Sequence, residues 1–287
     1  MRQDVISLYD QYVHGGMSRR NFLDRLAQTV GGTAAAFALL PSLENDYGQA
    51  PVVPADDKGL EIGRAGYDAA GTKMSGYLVR QKDGKKRPAV IVIHENRGLN
   101  PHIEDVARRL AKEGLLAFAV DALSPLGGTP SNEEEAIKMI GSLKPPETVA
   151  RYAAAVKFLA GHAECTGRVG AVGFCWGGGM VNRLAAAGTT LAAAVAYYGS
   201  QLPAAEVPNI SCPLLLHYAS LDERINAGIP DYVAALKANK KAYEFFMYEG
   251  ANHAFNNNTN AARYNKDAAD LAWGRTVGFL KKHLANW

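Results

Sequence analysis

From about residue 60 onward the chain alternates short apolar runs with amphipathic segments of helical period, and this alternation restricts the fold more than any other feature. The apolar runs are mostly continuous, which is typical of strands buried on both faces of a sheet; they cover residues 74–79, 89–94, 115–120, 169–174, 191–198, 213–218 and 243–248. The amphipathic segments cover residues 100–114, 147–159, 178–187, 229–238 and 261–284. Such a sequence predicts a largely parallel sheet with helices on both of its faces.

Length and charge limit the domain organisation and the classes of partner. A chain of 287 residues, 48% of them hydrophobic, forms one large domain or one domain with an appendage. We predict an N-terminal helical extension and linker over residues 1–58 and an α/β domain over residues 59–287. The formal charge is +3 with acidic and basic residues interspersed, so the sequence predicts no nucleic-acid partner and no membrane partner. It leaves the oligomeric state open.

The chain has an odd number of cysteines, Cys165, Cys175 and Cys212, and their spacing matches neither a CxxC motif nor a set of metal ligands. They therefore indicate no disulfide framework and no structural zinc site. This usage fits a reducing compartment, and we expect a cytoplasmic protein.

The N-terminal segment allows two interpretations. Residues 18–23, S-R-R-N-F-L, precede an apolar stretch and a G-Q-A sequence at 48–50, which resembles a twin-arginine export signal with its cleavage site and implies a periplasmic protein. Alternatively, Ser18 caps an amphipathic helix that packs on the main domain; its apolar residues are Phe22, Leu23, Leu26, Ala27 and Val30. The apolar stretch is too short and too interrupted to indicate a membrane span. We favour the packed helix.

The end of the run at 169–174 carries the motif G-x-C-x-G, formed by G-F-C-W-G at residues 173–177. This is the spacing of a strand–turn–helix in which a nucleophile occupies a strained turn, with Cys175 where serine usually stands. The flanking glycines avoid collisions with the neighbouring chain. A helix beginning directly after the cysteine would favour the thiolate and a developing oxyanion. The alternative is a buried structural cysteine in a glycine-rich turn.

An acid and a histidine follow the cysteine in the chain order that this kind of fold requires. Asp222 follows the run at 213–218, and His253 lies in the loop after the run at 243–248. The carboxyl ends of parallel strands meet at one edge of the sheet, so His253 would exchange protons with Cys175 and Asp222 would orient the imidazole. The alternatives are a helix cap at Asp222 and an ordinary polar loop at His253.

Four segments together resemble the dienelactone hydrolase family: H-E-N-R-G-L-N at 94–100, G-F-C-W-G-G-G at 173–179, S-L-D at 220–222 and G-A-N-H-A-F at 250–255. The resemblance covers most of residues 60–285 and implies an α/β-hydrolase fold. It also implies that Glu95 contacts Cys175 and takes up the thiol proton when substrate binds. The backbone amides of Asn96 and Trp176 would then form the oxyanion hole. Members of the family open a cyclic enol-lactone through an acyl-thiol intermediate.

The sequence departs from the family pattern where substrate would be held. Asn257 stands where characterised members have a carboxylate-binding arginine, and it is a substrate-binding candidate at that position. Residues 131–150, where the family supplies a second such arginine, contain no arginine. Arg97 and Arg224 are candidate carboxylate ligands; alternatively each of them pairs with an acid. We expect no metal site and no cofactor, because the sequence has no HExxH motif and no acidic cluster with calcium or magnesium spacing.

The sequence therefore predicts a cofactor-independent hydrolase that acts on a small ester or lactone through an acyl-cysteine intermediate. Two alternatives remain open. One is a broad carboxylesterase or thioesterase, and the other is a catalytically idle protein of this fold that binds a small ligand.

Overall fold

The computed structural model of the chain describes residues 1–49 and 51–285. Its centre is an eight-stranded sheet with the strand order β1-β2-β4-β3-β5-β6-β7-β8. In chain order the strands are β1 Leu60–Ala69, β2 Thr72–Gln81, β3 Arg87–Ile93, β4 Leu116–Asp121, β5 Cys165–Phe174, β6 Ala193–Tyr197, β7 Leu214–Ala219 and β8 Tyr243–Tyr248. Strands β4, β3, β5, β6, β7 and β8 pair in parallel, whereas β1 and β2 add an antiparallel edge.

The parallel part of the sheet agrees with the apolar runs of the sequence, and the predicted fold class is confirmed. Strand β1 was not predicted. Most of its residues are exposed or only partly buried, so it lacks the continuous apolar run by which the other strands were recognised. As an antiparallel edge strand it needs to bury few of its side chains.

Ten helices occur in the described part of the chain: α1 Gln3–Val13, α2 Arg19–Val30, α3 Thr33–Leu43, α4 Pro101–Lys112, α5 Glu133–Ser142, α6 Pro145–Ala160, α7 Trp176–Ala185, α8 Glu223–Asn226, α9 Ile229–Ala238 and α10 Lys266–Leu284. Helices α6, α7 and α9 pack on one face of the sheet, and α4 and α10 pack on the other. Asn100 caps α4 as predicted, accepting a hydrogen bond from the Ile103 amide at 3.1 Å.

Helix α10 begins five residues later than the sequence pattern indicates, because Asn265 caps it by accepting a hydrogen bond from the Ala268 amide at 3.1 Å. The predicted start at residue 261 was therefore wrong, and residues 261–265 are a loop. Helices α1, α3 and α5 were not predicted as separate elements.

Helices α1, α2 and α3 form the N-terminal extension, which has an apolar cluster of its own. The buried members of that cluster are Val5, Tyr9, Val13, Phe22, Leu26, Ala36, Leu40 and Leu43. Ser18 caps α2 by accepting a hydrogen bond from the Asn21 amide at 3.2 Å, so the helix proposed for this segment is present. Ala50, the last residue of the G-Q-A sequence, lies outside the described residues.

The extension is attached to the α/β domain by polar contacts. Tyr12 donates a hydrogen bond to Glu134 Oε1 at 2.9 Å, and Asn260 Nδ2 donates to the Leu43 carbonyl at 2.6 Å. Within the described chain, none of the helices has both the length and the apolar composition to cross a membrane alone, although α2 and α3 meet these criteria when taken together as a pair bent by 111°.

Candidate active site

Cys175 lies in the tight turn between β5 and α7. Its backbone has φ 55° and ψ −117°, a strained conformation for a residue with a side chain. A Cβ on Gly173 would lie 2.2 Å from the Gly177 oxygen, and a Cβ on Gly177 would lie 2.3 Å from the Ile93 oxygen. Glycine is therefore required on both sides of the cysteine. The strand–turn–helix context predicted for the G-x-C-x-G motif is present, and it places the sulfur at the carboxyl edge of the sheet.

Asp222 and His253 follow β7 and β8 and form a hydrogen-bonded pair. His253 Nδ1 donates to Asp222 Oδ2 at 2.5 Å, and both residues are buried. Asp222 Oδ1 also accepts a hydrogen bond from the Ile225 amide at 3.3 Å, so the helix cap considered as an alternative coexists with the pairing. His253 Nε2 is buried and has no hydrogen-bond partner among the described residues. This nitrogen is free to act on a neighbouring group.

Two histidines from distant parts of the chain flank the sulfur of Cys175. His14 Nε2 lies 3.2 Å from Cys175 Sγ. The sulfur and one ring nitrogen of each histidine, His14 and His253, all lie within 4.8 Å of one another. The two imidazole rings meet edge to face, with their centroids 4.7 Å apart. The structure therefore brings the predicted cysteine and histidine together and adds a second histidine that sequence reasoning missed.

The second histidine has an aspartate of its own. His14 Nδ1 lies 3.1 Å from Asp10 Oδ1 and 2.8 Å from the Asp10 carbonyl oxygen. Asp10 precedes His14 by four residues, a spacing that places two side chains on the same side of a helix. The sequence thus contains a signal for the Asp10–His14 pair. It contains no local signal for the docking of that pair on Cys175.

The charges in this cluster favour an ionised thiol. Burial raises the pKa of Cys175, but the His253 and His14 imidazoles together bring it well below its usual range. Burial lowers the pKa of His253, whereas Asp222 and Cys175 raise it, with a net upward shift. His14 is also shifted upward, since Cys175 and Asp10 outweigh the effect of burial on its pKa. These shifts favour the thiolate form of Cys175 and the protonated forms of His253 and His14, whose positive charges Asp222 and Asp10 stabilise.

Replacing His14 by asparagine is expected to slow the alkylation of Cys175 by iodoacetamide at neutral pH. The thiolate is the reactive form, and His14 lowers the pKa of the thiol. Loss of His14 therefore raises that pKa and moves the alkylation midpoint to higher pH. The rate is followed by mass spectrometry as a function of pH, in buffer containing a chelator.

Two features make that measurement selective. Burial raises the pKa of Cys165 and raises that of Cys212 to about 12, so these thiols stay protonated where Cys175 reacts. His162→Asn is the control, because His162 lies in the loop between α6 and β5. An unchanged profile in His14→Asn would show that His14 does not influence the thiol.

Glu95 and Asn257 form a buried hydrogen-bonded pair. Asn257 Nδ2 donates to Glu95 Oε2 at 3.1 Å, while Asn257 Oδ1 accepts hydrogen bonds from the Thr259 amide at 3.0 Å and from its hydroxyl at 2.7 Å. Glu95 has no hydrogen bond to Cys175 among the described residues. Asn257, the substrate-binding candidate at the position of the family's arginine, is fully buried and donates to the Glu95 carboxylate, and its contact with substrate stays a prediction. The role of Glu95 as thiol activator stays a prediction.

Asn96 and Trp176 both line the cavity at Cys175. Within residues 1–49 and 51–285, neither backbone amide donates a hydrogen bond to another backbone group outside the regular elements. The Asn96 side chain donates to the Val13 carbonyl at 2.7 Å. His94 donates from Nδ1 to the Glu95 carbonyl at 2.7 Å and accepts at Nε2 from the Ala122 amide at 3.1 Å. These bonds fix the loop that carries the Asn96 amide.

A cavity of about 330 Å³ opens at Cys175. Its wall combines residues of the extension, of α5 and of the catalytic loops: Val13, His14, Gly15, Asn96, Ile137, Ile140, Gly141, Cys175, Trp176, Tyr198, Ser200, Arg224, Ile225 and His253. Within the described part of the chain, Arg97 does not line this cavity. It is buried, and its Nε donates to Glu133 Oε2 at 2.8 Å, so it pairs with an acid, the alternative considered for it.

Two further residues of the cavity wall are Arg224, which the sequence indicated as a candidate carboxylate ligand, and Tyr198, which sequence reasoning missed. Arg224 reaches the cavity from α8, and its Nε lies 3.5 Å from Asp10 Oδ2. Tyr198 is fully buried, its ring centroid lies 4.9 Å from that of His253, and its hydroxyl has no partner in the described part of the chain. Tyr198 has φ 39° and directly follows β6 at the same carboxyl edge. Its position at the end of an apolar run was the available signal.

Comparison with known proteins gives matches over most of the chain. The profile of the Dienelactone hydrolase family matches residues 74–284, and a profile described as YqhI-like matches residues 1–32. An inferred carboxymethylenebutenolidase of Saccharolobus solfataricus is 32% identical over 254 residues, covering 75% of this chain and 96% of that protein. An inferred 2-oxo-3-(5-oxofuran-2-ylidene)propanoate lactonase of a Bradyrhizobium species is 31% identical over 228 residues, covering 75% and 91%.

A solved structure shows the same architecture. The crystal structure of an inferred dienelactone hydrolase from Klebsiella pneumoniae subsp. pneumoniae superposes with a TM-score of 0.71 at 27% identity, covering 78% of this chain and 99% of that one.

Proposed function

The chain belongs to the dienelactone hydrolase family, and from that premise we propose that it hydrolyses a small ester or lactone through an acyl-cysteine intermediate. One observation carries the proposal: Cys175 stands on a strained turn next to His253, whose other ring nitrogen is bonded to Asp222 at 2.5 Å. A nucleophile, a base and a group that orients the base are the parts that acyl transfer needs.

In the first step Cys175 Sγ attacks the carbonyl carbon of the substrate. The negative charge that develops on the carbonyl oxygen is accepted by the backbone amides of Asn96 and Trp176. His253 Nε2 then gives its proton to the departing alkoxide, so the carbon–oxygen bond breaks and an acyl-thiol remains. For a lactone the alcohol stays attached to the acyl group, and it leaves the site only after the second step.

In the second step water attacks the acyl-thiol. His253 Nε2 takes a proton from that water, and the sulfur leaves as the thiolate. Asp222 stabilises the imidazolium whenever His253 carries the proton, and the thiolate that returns is stabilised by the two histidines. The products are a carboxylic acid and an alcohol, joined in one molecule when the substrate is a lactone.

The cavity supports a small substrate that carries a negative group. Its volume of about 330 Å³ and its mostly apolar wall fit a compact ring. Arg224, with a side chain 42% exposed, is a cation of that wall that a substrate carboxylate can reach. The lactone in the name of the Bradyrhizobium relative bears a carboxylate. We therefore propose a carboxylated lactone or enol ester as the substrate class.

A panel of esters and lactones, each with and without a free carboxylate, tests this proposal. Replacing Arg224 by glutamine is expected to raise KM for the carboxylated members by about tenfold, since a hydrogen bond to a charged group is worth about 1.5–3 kcal/mol. KM for neutral esters should stay within about twofold. Arg64→Gln, in an exposed arginine that pairs with Glu104, is the matched control.

Three outcomes of the panel can be told apart. Preference for carboxylated lactones that disappears in Arg224→Gln supports the proposal. Equal turnover of neutral and carboxylated esters would identify a broad carboxylesterase or thioesterase. No turnover on any member, with Cys175 still open to alkylation, would identify a binding protein of this fold.

We propose further that residues 1–49 stay attached to the active protein. The extension supplies His14 to the site, and cleavage after residue 50 would remove it together with the partner of Asn96. Retention of the extension supports the packed-helix interpretation and a cytoplasmic location over export with cleavage.

A further inference from the structure

We propose that Cys175, His14 and His253 form a binding site for one thiophilic divalent cation of the Zn²⁺ type, which blocks the nucleophile reversibly. No sequence pattern indicates a metal here, because the two histidines lie near opposite ends of the chain and no ligand spacing connects them to Cys175. The fold brings the three donors together. The proposal concerns a cation that occupies the site in place of substrate, and it does not concern a cofactor of hydrolysis.

The donor atoms are close to the separations that a tetrahedral zinc site requires. With Zn–S near 2.3 Å and Zn–N near 2.0–2.1 Å, neighbouring donors lie about 3.3–3.6 Å apart. His14 Nε2 and Cys175 Sγ are 3.2 Å apart, and no pair in the cluster exceeds 4.8 Å. Side-chain rotations that move the donor atoms by about an ångström therefore bring all three of them into contact with one ion.

Both histidines are oriented as metal-binding histidines usually are. Such a histidine donates from its other ring nitrogen to a carboxylate or a carbonyl, which fixes the ring and raises its basicity. His253 Nδ1 is bonded to Asp222 at 2.5 Å, and His14 Nδ1 lies 3.1 Å from Asp10. Each Nε2 is thereby left for the ion. Catalysis by a general base requires one aspartate–histidine pair, whereas this site has two such pairs directed at the Cys175 sulfur.

A third observation points to a ligand between these groups. His253 Nε2 is buried without a hydrogen-bond partner among the described residues, and His253 as a whole is 4% exposed. A buried nitrogen of this kind is costly unless something binds it. The cavity at Cys175 leaves the fourth tetrahedral position open to water or to a small anion. Three protein ligands and one open position make an exchangeable site.

The ligand set selects the kind of cation. One sulfur and two imidazole nitrogens suit Zn²⁺, Co²⁺ and Cd²⁺, whereas Mg²⁺ and Ca²⁺ require oxygen ligands. A cation held by the sulfur removes the electron pair that attacks the substrate. The expected consequence is loss of hydrolysis and of alkylation together, with recovery of both when a chelator removes the ion.

The test uses Co²⁺ as a spectroscopic probe on the full chain in the Cys165→Ala/Cys212→Ala background. Cys175 is then the one remaining thiol, so a thiolate-to-cobalt absorption band reports on it. We expect one Co²⁺ per chain with the intense visible bands of tetrahedral cobalt. His14→Gln should weaken binding at least tenfold, and Asp10→Asn should weaken it by about tenfold. His162→Gln, a histidine outside the cluster, should leave the affinity unchanged.

If the double variant fails to fold, calorimetric titration of the wild-type chain with Zn²⁺ replaces it, and Cys175→Ala provides the background. The proposal would be overturned if no thiolate–metal band appeared and if the Cys175→Ala replacement removed no Zn²⁺ binding. Binding that is equally tight in His14→Gln would also overturn it, since the extension would then contribute no ligand. All of these metal-binding measurements are made without substrate, so their outcome does not depend on whether the protein carries out the proposed hydrolysis.

Discussion

Replacing Cys175 by alanine is expected to lower ester and lactone hydrolysis by at least about 10³-fold, since the nucleophile carries the covalent step. The fold should be unaffected. The residue is buried and has φ 55°, and alanine has the same backbone restriction in that conformation and fits within the same space. The measurements are kcat/KM on the best substrate of the panel and the thermal unfolding midpoint.

Cys212→Ala is the control for this experiment, because Cys212 is also buried and lies in the apolar core on one face of the sheet. It should keep near wild-type activity, with at most a modest loss of stability. If Cys175→Ala kept most of the activity while folding normally, the acyl-cysteine intermediate would have to be given up.

Replacing Asp222 by asparagine is expected to lower kcat by about 10³–10⁴-fold with little change in KM. Asparagine offers an amide where His253 needs an acceptor for its Nδ1–H, so the histidine loses its tautomer and its stabilised positive form. These losses affect the transition state more than the bound ground state. The cap of α8 should survive, because asparagine caps helices about as well as aspartate does.

The matched variant is Asp10→Asn, which alters the other aspartate–histidine pair in the same way. It should lower kcat much less, because His14 stabilises the thiolate while His253 is assigned the proton transfers. Steady-state kinetics on both variants separate the two pairs. Equal losses of kcat would show that both histidines take part in proton transfer, and a change confined to KM in Asp222→Asn would place Asp222 in substrate binding.

The sheet and its catalytic edge could be predicted because they depend on local patterns. Continuous apolar runs indicate the parallel strands. Glycines are expected beside Cys175 because a side chain there would collide with the neighbouring backbone in any turn of this kind. Asp222 and His253 could be located because parallel strands end at one edge. Strand β1 was missed for the opposite reason, since an exposed edge strand carries no such run.

The surroundings of the sulfur could not be predicted in the same way. Residues Val5, Ile6, Tyr9 and Val13 are buried in α1, and their spacing could have shown an amphipathic helix. No local pattern shows where that helix docks. Its docking places His14 on Cys175 and lowers the pKa of the thiol, whereas the resemblance, in which Glu95 is the thiol's neighbour, suggested a neutral resting thiol. Glu95 is bonded to Asn257 instead, and Asn257 is the residue that departs from the family pattern.

The contact between His14 and Cys175 also has a consequence for the order in which the protein matures during translation. His14 leaves the ribosome long before His253 is synthesised, and at about 5–20 residues per second the interval is on the order of ten to fifty seconds. Throughout that time the apolar side of α1, with Val5 and Tyr9, can pack on α2 and α3, but there is no complete active site for His14 to join. The reactive centre therefore assembles only when nearly the whole chain exists, so a truncated nascent chain carries no activated thiol.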